Sequence, residues 1–144
     1  EALAGTTAAI DVPGSIGTAA SRRARIETAY DAIHERSSAL FASMWNGLAS
    51  IPAVTLYGPA PTSAPGAPRA PTVAFTVKGV DSSVVATRLA AEGGVFVSNG
   101  RFYAATLAER MGVSRSGWVR AGCACYTTGG EVERLVRGVR AISS

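Results

Sequence analysis

Between residues 58 and 71 the chain reads GPAPTSAPGAPRAP, which holds five of its seven prolines. Proline removes a backbone donor and glycine raises the entropic cost of order, so this segment can form neither a helix nor a central strand. It is expected on the surface as a loop. The fold must therefore be assembled from one block before the loop and one after it.

In the first block, EALAGTTAAIDV (1–12) carries Leu3, Thr7 and Ile10 at helical spacing, and Pro13-Gly14 is expected to stop that helix. It opens without a capping residue, as though inside a helix, which suggests a piece of something longer. From Ser21 the apolar positions Ile26, Tyr30, Ile33, Leu40, Met44 and Leu48 recur at steps of three, four or seven, while Arg22, Arg25, Glu35 and Arg36 mostly fall outside that stripe. This predicts one long amphipathic helix ending near Ser50-Ile51-Pro52, followed by a short strand, AVTLY (53–57).

The second block predicts a strand over TVAFTVKGV (72–80), an N-cap at Asp81, and a helix closed by Gly93-Gly94. VFVS (95–98) reads as a strand, Asn99-Gly100 as a turn, YAATLAERMG (103–112) as a short helix and WVRAGCACY (118–126) as a strand. Thr128 with Glu131 three residues on is a capping-box signature for a last helix, with Val132, Leu135, Val136, Val139 and Ile142 inward and Arg134, Arg137 and Arg140 outward. Four strands and several helices make an α+β, two-layer domain: a four-stranded sheet with helices on one face, preceded by a long linking helix. At 144 residues and 47% hydrophobic content there is material for one core.

No apolar run approaches the roughly 18 residues needed to cross a bilayer, and there is no signal-like start, so a soluble, cytoplasmic protein is expected, with no membrane partner. The net charge of +4 is carried almost wholly by arginine, Lys78 being the sole lysine. Arginine-rich, alanine-rich composition accounts for that charge without nucleic acid, and the outer arginines of the last helix lack the interleaved aromatics of a nucleic-acid stripe.

Several chemistries are excluded by the inventory. His34 is the sole histidine, and Cys123 and Cys125 would need two further ligands, so neither a metal site nor a hydrolytic triad is supported. Gly93-Gly94 ends a helix and cannot cradle phosphate at a helix start. On a strand, residues two apart share a face, which puts Val119, Ala121, Cys123 and Cys125 on one apolar side as inert, reduced thiols and small hydrophobes. The other side then carries Trp118, Arg120, Gly122, Ala124 and Tyr126. A guanidinium in a strand needs an anion. The sequence leaves two readings open: an internal pair with an acid such as Asp81 or Glu92, or a ligand carboxylate or phosphate gripped bidentately.

With those residues in view, the chain resembles the C-terminal domain of the cysteine desulfurase-like branch of the class V aminotransferases, enzymes of fold type I that use pyridoxal phosphate. PTVAFTVKGVDSSVVATRLAAEGGVFVSNG (71–100) resembles that family's strand, glycine-ended helix and short strand entering the active site. GRFYAATLAERMGV (100–113) is similar to the loop and helix that carry the persulfide-forming cysteine, and WVRAGCACYTTGGEVERLVRGVRAI (118–142) to the strand with the substrate-binding arginine. The resemblance implies that residues 1–20 end a large-domain helix and linker and that 21–144 form the C-terminal small domain. It implies that Arg120 grips the substrate α-carboxylate and that Asn99, Arg101 and Tyr103 belong to the substrate-binding loop. Tyr103 stands where a desulfurase has its cysteine, and a phenol cannot take up sulfane sulfur as a thiolate does.

The Schiff-base lysine and its aspartate partner would precede residue 1, and Lys78 does not match their motif. The resemblance thus implies pyridoxal phosphate in a full-length enzyme, none covalently on this chain, an amino-acid substrate, a missing cofactor-binding large domain and a homodimer. The competing expectation is a non-catalytic anion-binding or scaffolding domain of the same fold.

Overall fold

The computed structural model describes residues 2–61 and 69–144. The central part of the proline-rich loop, residues 62–68, lies outside the described residues, and the flanks at 58–61 and 69–71 are irregular as expected. The chain divides into a first unit ending at Ser37 and a second, Ser38–Ser144.

The first unit holds α1 (Ala2–Ile16) and the start of α2 (Arg22–Ala49). α1 runs past its expected stop, with Pro13 inside it. A proline in a helix forfeits its own N–H bond and crowds the carbonyl four residues back, but the turn beyond it is held by Ser15 Oγ donating to the Val12 carbonyl (2.7 Å) and Gly17 N–H to the Pro13 carbonyl (3.4 Å). α2 begins as predicted. The Ser21 hydroxyl accepts from the Ala24 N–H at 3.2 Å, satisfying one of the orphan donors of the first turn. Of the predicted apolar stripe in this part, Ile26 and Ile33 are half-buried and Tyr30 is exposed, as is His34.

The second unit contains the sheet. β1 (Val54–Tyr57), β2 (Thr72–Val77), β3 (Ser98–Gly100) and β4 (Trp118–Gly122) lie in the order β1-β2-β4-β3, every neighbouring pair antiparallel. Between them run α3 (Ser82–Gly93), α4 (Ala105–Arg110) and α5 (Gly129–Ile142). The alternation of TVAFTV is realised in β2: Val73, Phe75 and Val77 are buried, and Thr72, Ala74 and Thr76 are not. The buried set joins Val119 and Ala121 of β4, Val85 and Leu89 of α3, Val132, Leu135, Val139 and Ile142 of α5, and Phe41, Met44 and Leu48 of α2 in one core. The helices thus cover one face of the sheet. Among the described residues, no helix is long and apolar enough to cross a membrane.

Three local expectations are corrected. The strand expected at VFVS forms at Ser98–Gly100, sharing Ser98 with that expectation and continuing over Asn99-Gly100, the residues expected as a turn, because the backbone that pairs with β4 is set by the register Ser98↔Arg120 and Gly100↔Trp118. Asp81 occupies the N-cap of α3 without a side-chain cap bond, although Gly94 closes that helix in the left-handed conformation (φ 60°) as predicted. β4 ends at Gly122, four residues early. The capping box of α5 is present in full, with Thr128 and Glu131 bonded reciprocally.

Candidate functional site

The early end of β4 matters for the cysteines. Past Gly122 the strand alternation no longer applies, so Cys123 alone packs against the core, and Cys125 is exposed. Burial raises the Cys123 thiol above its ordinary pKa, which keeps it protonated and a poor nucleophile. The expectation that both thiols face the core is thus met by one and overturned for the other.

Within β4 itself the alternation holds where it counts. Val119 and Ala121 turn to the helices, and Arg120 between them is exposed on the opposite face. The registers place Arg120 in a cross-strand row, Tyr57–Ala74–Arg120–Ser98. Directly opposite neighbours in such a row lie about 5 Å away, and both of those flanking Arg120 are small, which leaves space above the sheet. Trp118, expected on the open side, meets the Tyr57 ring of Arg120's own row edge-on at 5.9 Å, and is buried there. That aromatic pair forms one wall of the face.

The second wall is the turn after β3. Gly100 (φ 122°), Phe102 (φ 49°) and Tyr103 (φ 60°) all have positive φ, and a Cβ on Gly117 would collide with the Gly100 backbone. Two glycines therefore allow the turn to lie against the start of β4, and two non-glycine residues are held in a conformation that L side chains rarely adopt. The turn is closed by Ala104 N–H donating to the Arg101 carbonyl at 2.8 Å. Its outcome is that the Phe102 ring comes under the Arg120 guanidinium, 4.3 Å from centroid to Cζ, well inside the range of a cation–π contact.

Arg120 has no carboxylate partner among the described residues. Of the two acids considered for it, Glu92 is bonded to Arg88 at 2.8 and 3.2 Å, which holds the Glu92 carboxyl below its ordinary value. Asp81 is exposed at the start of α3. The other predicted site residues distribute unevenly. Asn99 pairs with Val119, one register step from Arg120, so alternation directs it to the other side of the sheet. Arg101 and Tyr103 are exposed on the turn, Tyr103 completely so at 109%.

Sequence pattern alone does not single out Phe102. An aromatic two residues past a glycine was the available signal, but only the left-handed backbone directs it to Arg120.

A separate cavity of about 450 Å³ lies on the helix side, lined among others by Val95, Phe96, Cys123, Tyr126, Glu131 and Arg134. Its thiol is the protonated Cys123, and no group of three or more potential metal ligands exists among the described residues. The open face around Arg120 is the better candidate, its exposed guanidinium being suited to an anion. Lys78 does not join it: it is exposed on the turn beyond β2, four residues from Ala74, or about 13 Å of strand. Lys78 and Arg120 therefore do not share one site.

The family model described as Aminotransferase class-V matches residues 3–135. Aminotransferase-like protein FGM3 of Gibberella zeae is 34% identical over 108 residues, 74% of this chain and 26% of that protein. Among solved structures, the cysteine desulfurase CsdA from Escherichia coli is similar with a TM-score of 0.64 and 27% identity, over 83% of this chain and 28% of its own. A NifS-like protein is similar in fold, with a TM-score of 0.59 and 20% identity over 84% and 31% of the two chains. The chain spans about a quarter to a third of the length of these relatives.

Proposed function

Because the chain belongs to the class V aminotransferase family, we propose that it is the C-terminal, substrate-gripping domain of a pyridoxal-phosphate enzyme acting on an amino acid. In this reading Arg120 binds the substrate α-carboxylate, and the turn carrying Arg101 and Tyr103 covers the substrate. One observation carries it: an exposed guanidinium on an open sheet face, between small residues and without an acidic partner among the described residues. The planar fork of arginine matches a carboxylate bidentately, which orients the amino acid as well as holding it.

When bound, pyridoxal phosphate supplies an electron sink for bonds at the substrate α-carbon. Its lysine is assigned to the part of the relatives that this chain does not span, and the domain is inactive by itself. Tyr103 is a phenol at the position where the resemblance puts a sulfur-carrying cysteine, so the reaction does not run through a persulfide there. The same reading takes the full-length protein as a cytoplasmic homodimer.

The test uses the full-length protein with L-alanine as the probe amino acid. Arg120→Lys keeps the charge and loses the fork, so the dissociation constant should rise about tenfold or more while the cofactor stays bound. An unchanged affinity would sink the proposal and favour the scaffolding alternative. For the isolated chain, mixing with pyridoxal phosphate and trapping with borohydride should leave Lys78 unmodified. A stoichiometric adduct there would contradict the assignment of the lysine elsewhere.

A further inference from the structure

The turn after β3 is built at a local cost. Phe102 and Tyr103 are consecutive non-glycine residues with φ of 49° and 60°, and such conformations persist where the surroundings over-determine them. Their side chains part company: Tyr103 is fully exposed, whereas Phe102 is half-buried under Arg120. An exposed arginine on a strand ordinarily samples many rotamers, and each must be given up when it binds a ligand. A ring 4.3 Å from the guanidinium carbon covers one face of the cation, and a stacked guanidinium keeps the in-plane N–H edges that a carboxylate needs.

We propose that Phe102 is a positioning residue: its ring is the platform that holds the Arg120 guanidinium ready for a carboxylate. This inference rests on the carboxylate-binding reading of Arg120. Phe102 does not touch the ligand; it acts by ordering the group that does. The aromatic quadrupole and the flat shape are both required, so another aromatic ring can replace it and an aliphatic side chain of similar bulk cannot.

The experiment compares Phe102→Leu, Phe102→Trp, Arg120→Lys and Arg120→Ala in the full-length protein, with L-alanine as the probe. Two quantities are read: the dissociation constant, and the upfield ring-current shift of the Arg120 Hδ protons. Phe102→Leu should abolish that shift and weaken L-alanine binding about 2- to 5-fold, the value of an exposed cation–π contact. Phe102→Trp should restore both. In the Arg120→Ala background, Phe102→Leu should have no further effect, since there is nothing left to position.

If Phe102→Leu leaves affinity unchanged while Arg120→Lys weakens it, the platform is wrong and the carboxylate reading survives. If Phe102→Trp is as weak as Phe102→Leu, the ring is not the cause and the platform is likewise overturned. If Arg120→Lys changes nothing, the carboxylate reading falls and takes this inference with it. Retention of the thermal midpoint in Phe102→Leu separates positioning from loss of the fold.

Discussion

The two faces of β4 are made by alternate residues of one five-residue strand, yet they obey different rules. Val119 and Ala121 enter a core shared by β2 and three helices, where each atom has neighbours and shape is set by packing. Arg120 stands between them on the other face, exposed, with small residues to either side in its row and an aromatic ring beneath it. The covered face shows what holds the domain together. The open face carries a charge with no ionic partner among the described residues. A strand is well suited to this division because a period of two keeps the two sets of side chains apart while the backbone holds both in register.

The sharpest way to break that comparison is to cut into the covered face. Phe75→Ala removes a fully buried ring at the centre of β2, and should destabilise the domain by about 3–5 kcal/mol in denaturant unfolding. A loss below about 1 kcal/mol, within the effect of an average substitution, would mean that the core is not where the burial places it.

The next effect comes from the helix end that seats α5 over the same face. Thr128→Ala removes the cap and should cost about 1 kcal/mol at neutral pH. Its pH dependence follows from Glu131. The Thr128 backbone N–H (2.7 Å) and hydroxyl (2.8 Å) donate to its carboxylate and hold its pKa below the ordinary value. A carboxylate depressed in the folded state stabilises the fold at pH above its unfolded value, and that contribution disappears as pH falls through the folded one. The gap between wild type and Thr128→Ala should therefore be full at neutral pH and narrow on acidification below the ordinary carboxylate range. Alanine keeps the backbone N–H that donates to Glu131, so a gap that stays constant down to the lowest pH at which the fold survives would exclude only the hydroxyl's bond to Glu131.

The smallest effect belongs to the open face. Arg120→Ala should change unfolding stability by no more than about 1 kcal/mol, the value of its exposed cation–π contact with Phe102, because the side chain has no ionic partner among the described residues. A loss of 2 kcal/mol or more would identify Arg120 as a structural residue and erase the distinction between the faces.

How far each feature could be read in advance follows the range of the forces that make it. The α+β order, the alternation in β2, the glycine closure of α3 and the capping box of α5 depend on residues within a few positions of one another, and TVAFTV or Thr128–Glu131 carry that information locally. The sequence pattern places β3 three residues early because its pairing is decided by β4, some 20 residues further along, and not by the apolar run Val95–Val97. The extent of β4 was overread for the same reason: WVRAGCACY continues to alternate after its partner strand has ended at Thr72↔Gly122, which released Cys125 from the core face.

By itself the sequence determined that an arginine would sit on a strand face apart from the core, since Val119 and Ala121 flank it and a backbone period of two leaves no other choice. It also determined which helices could form and where α5 starts. Only the tertiary structure decided what meets that arginine. No local rule links Phe102 to Arg120, 18 positions on. The contact exists because β3 and β4 pair in one register and Gly117 lets the turn at Gly100 lie close enough to bring the ring beneath the guanidinium.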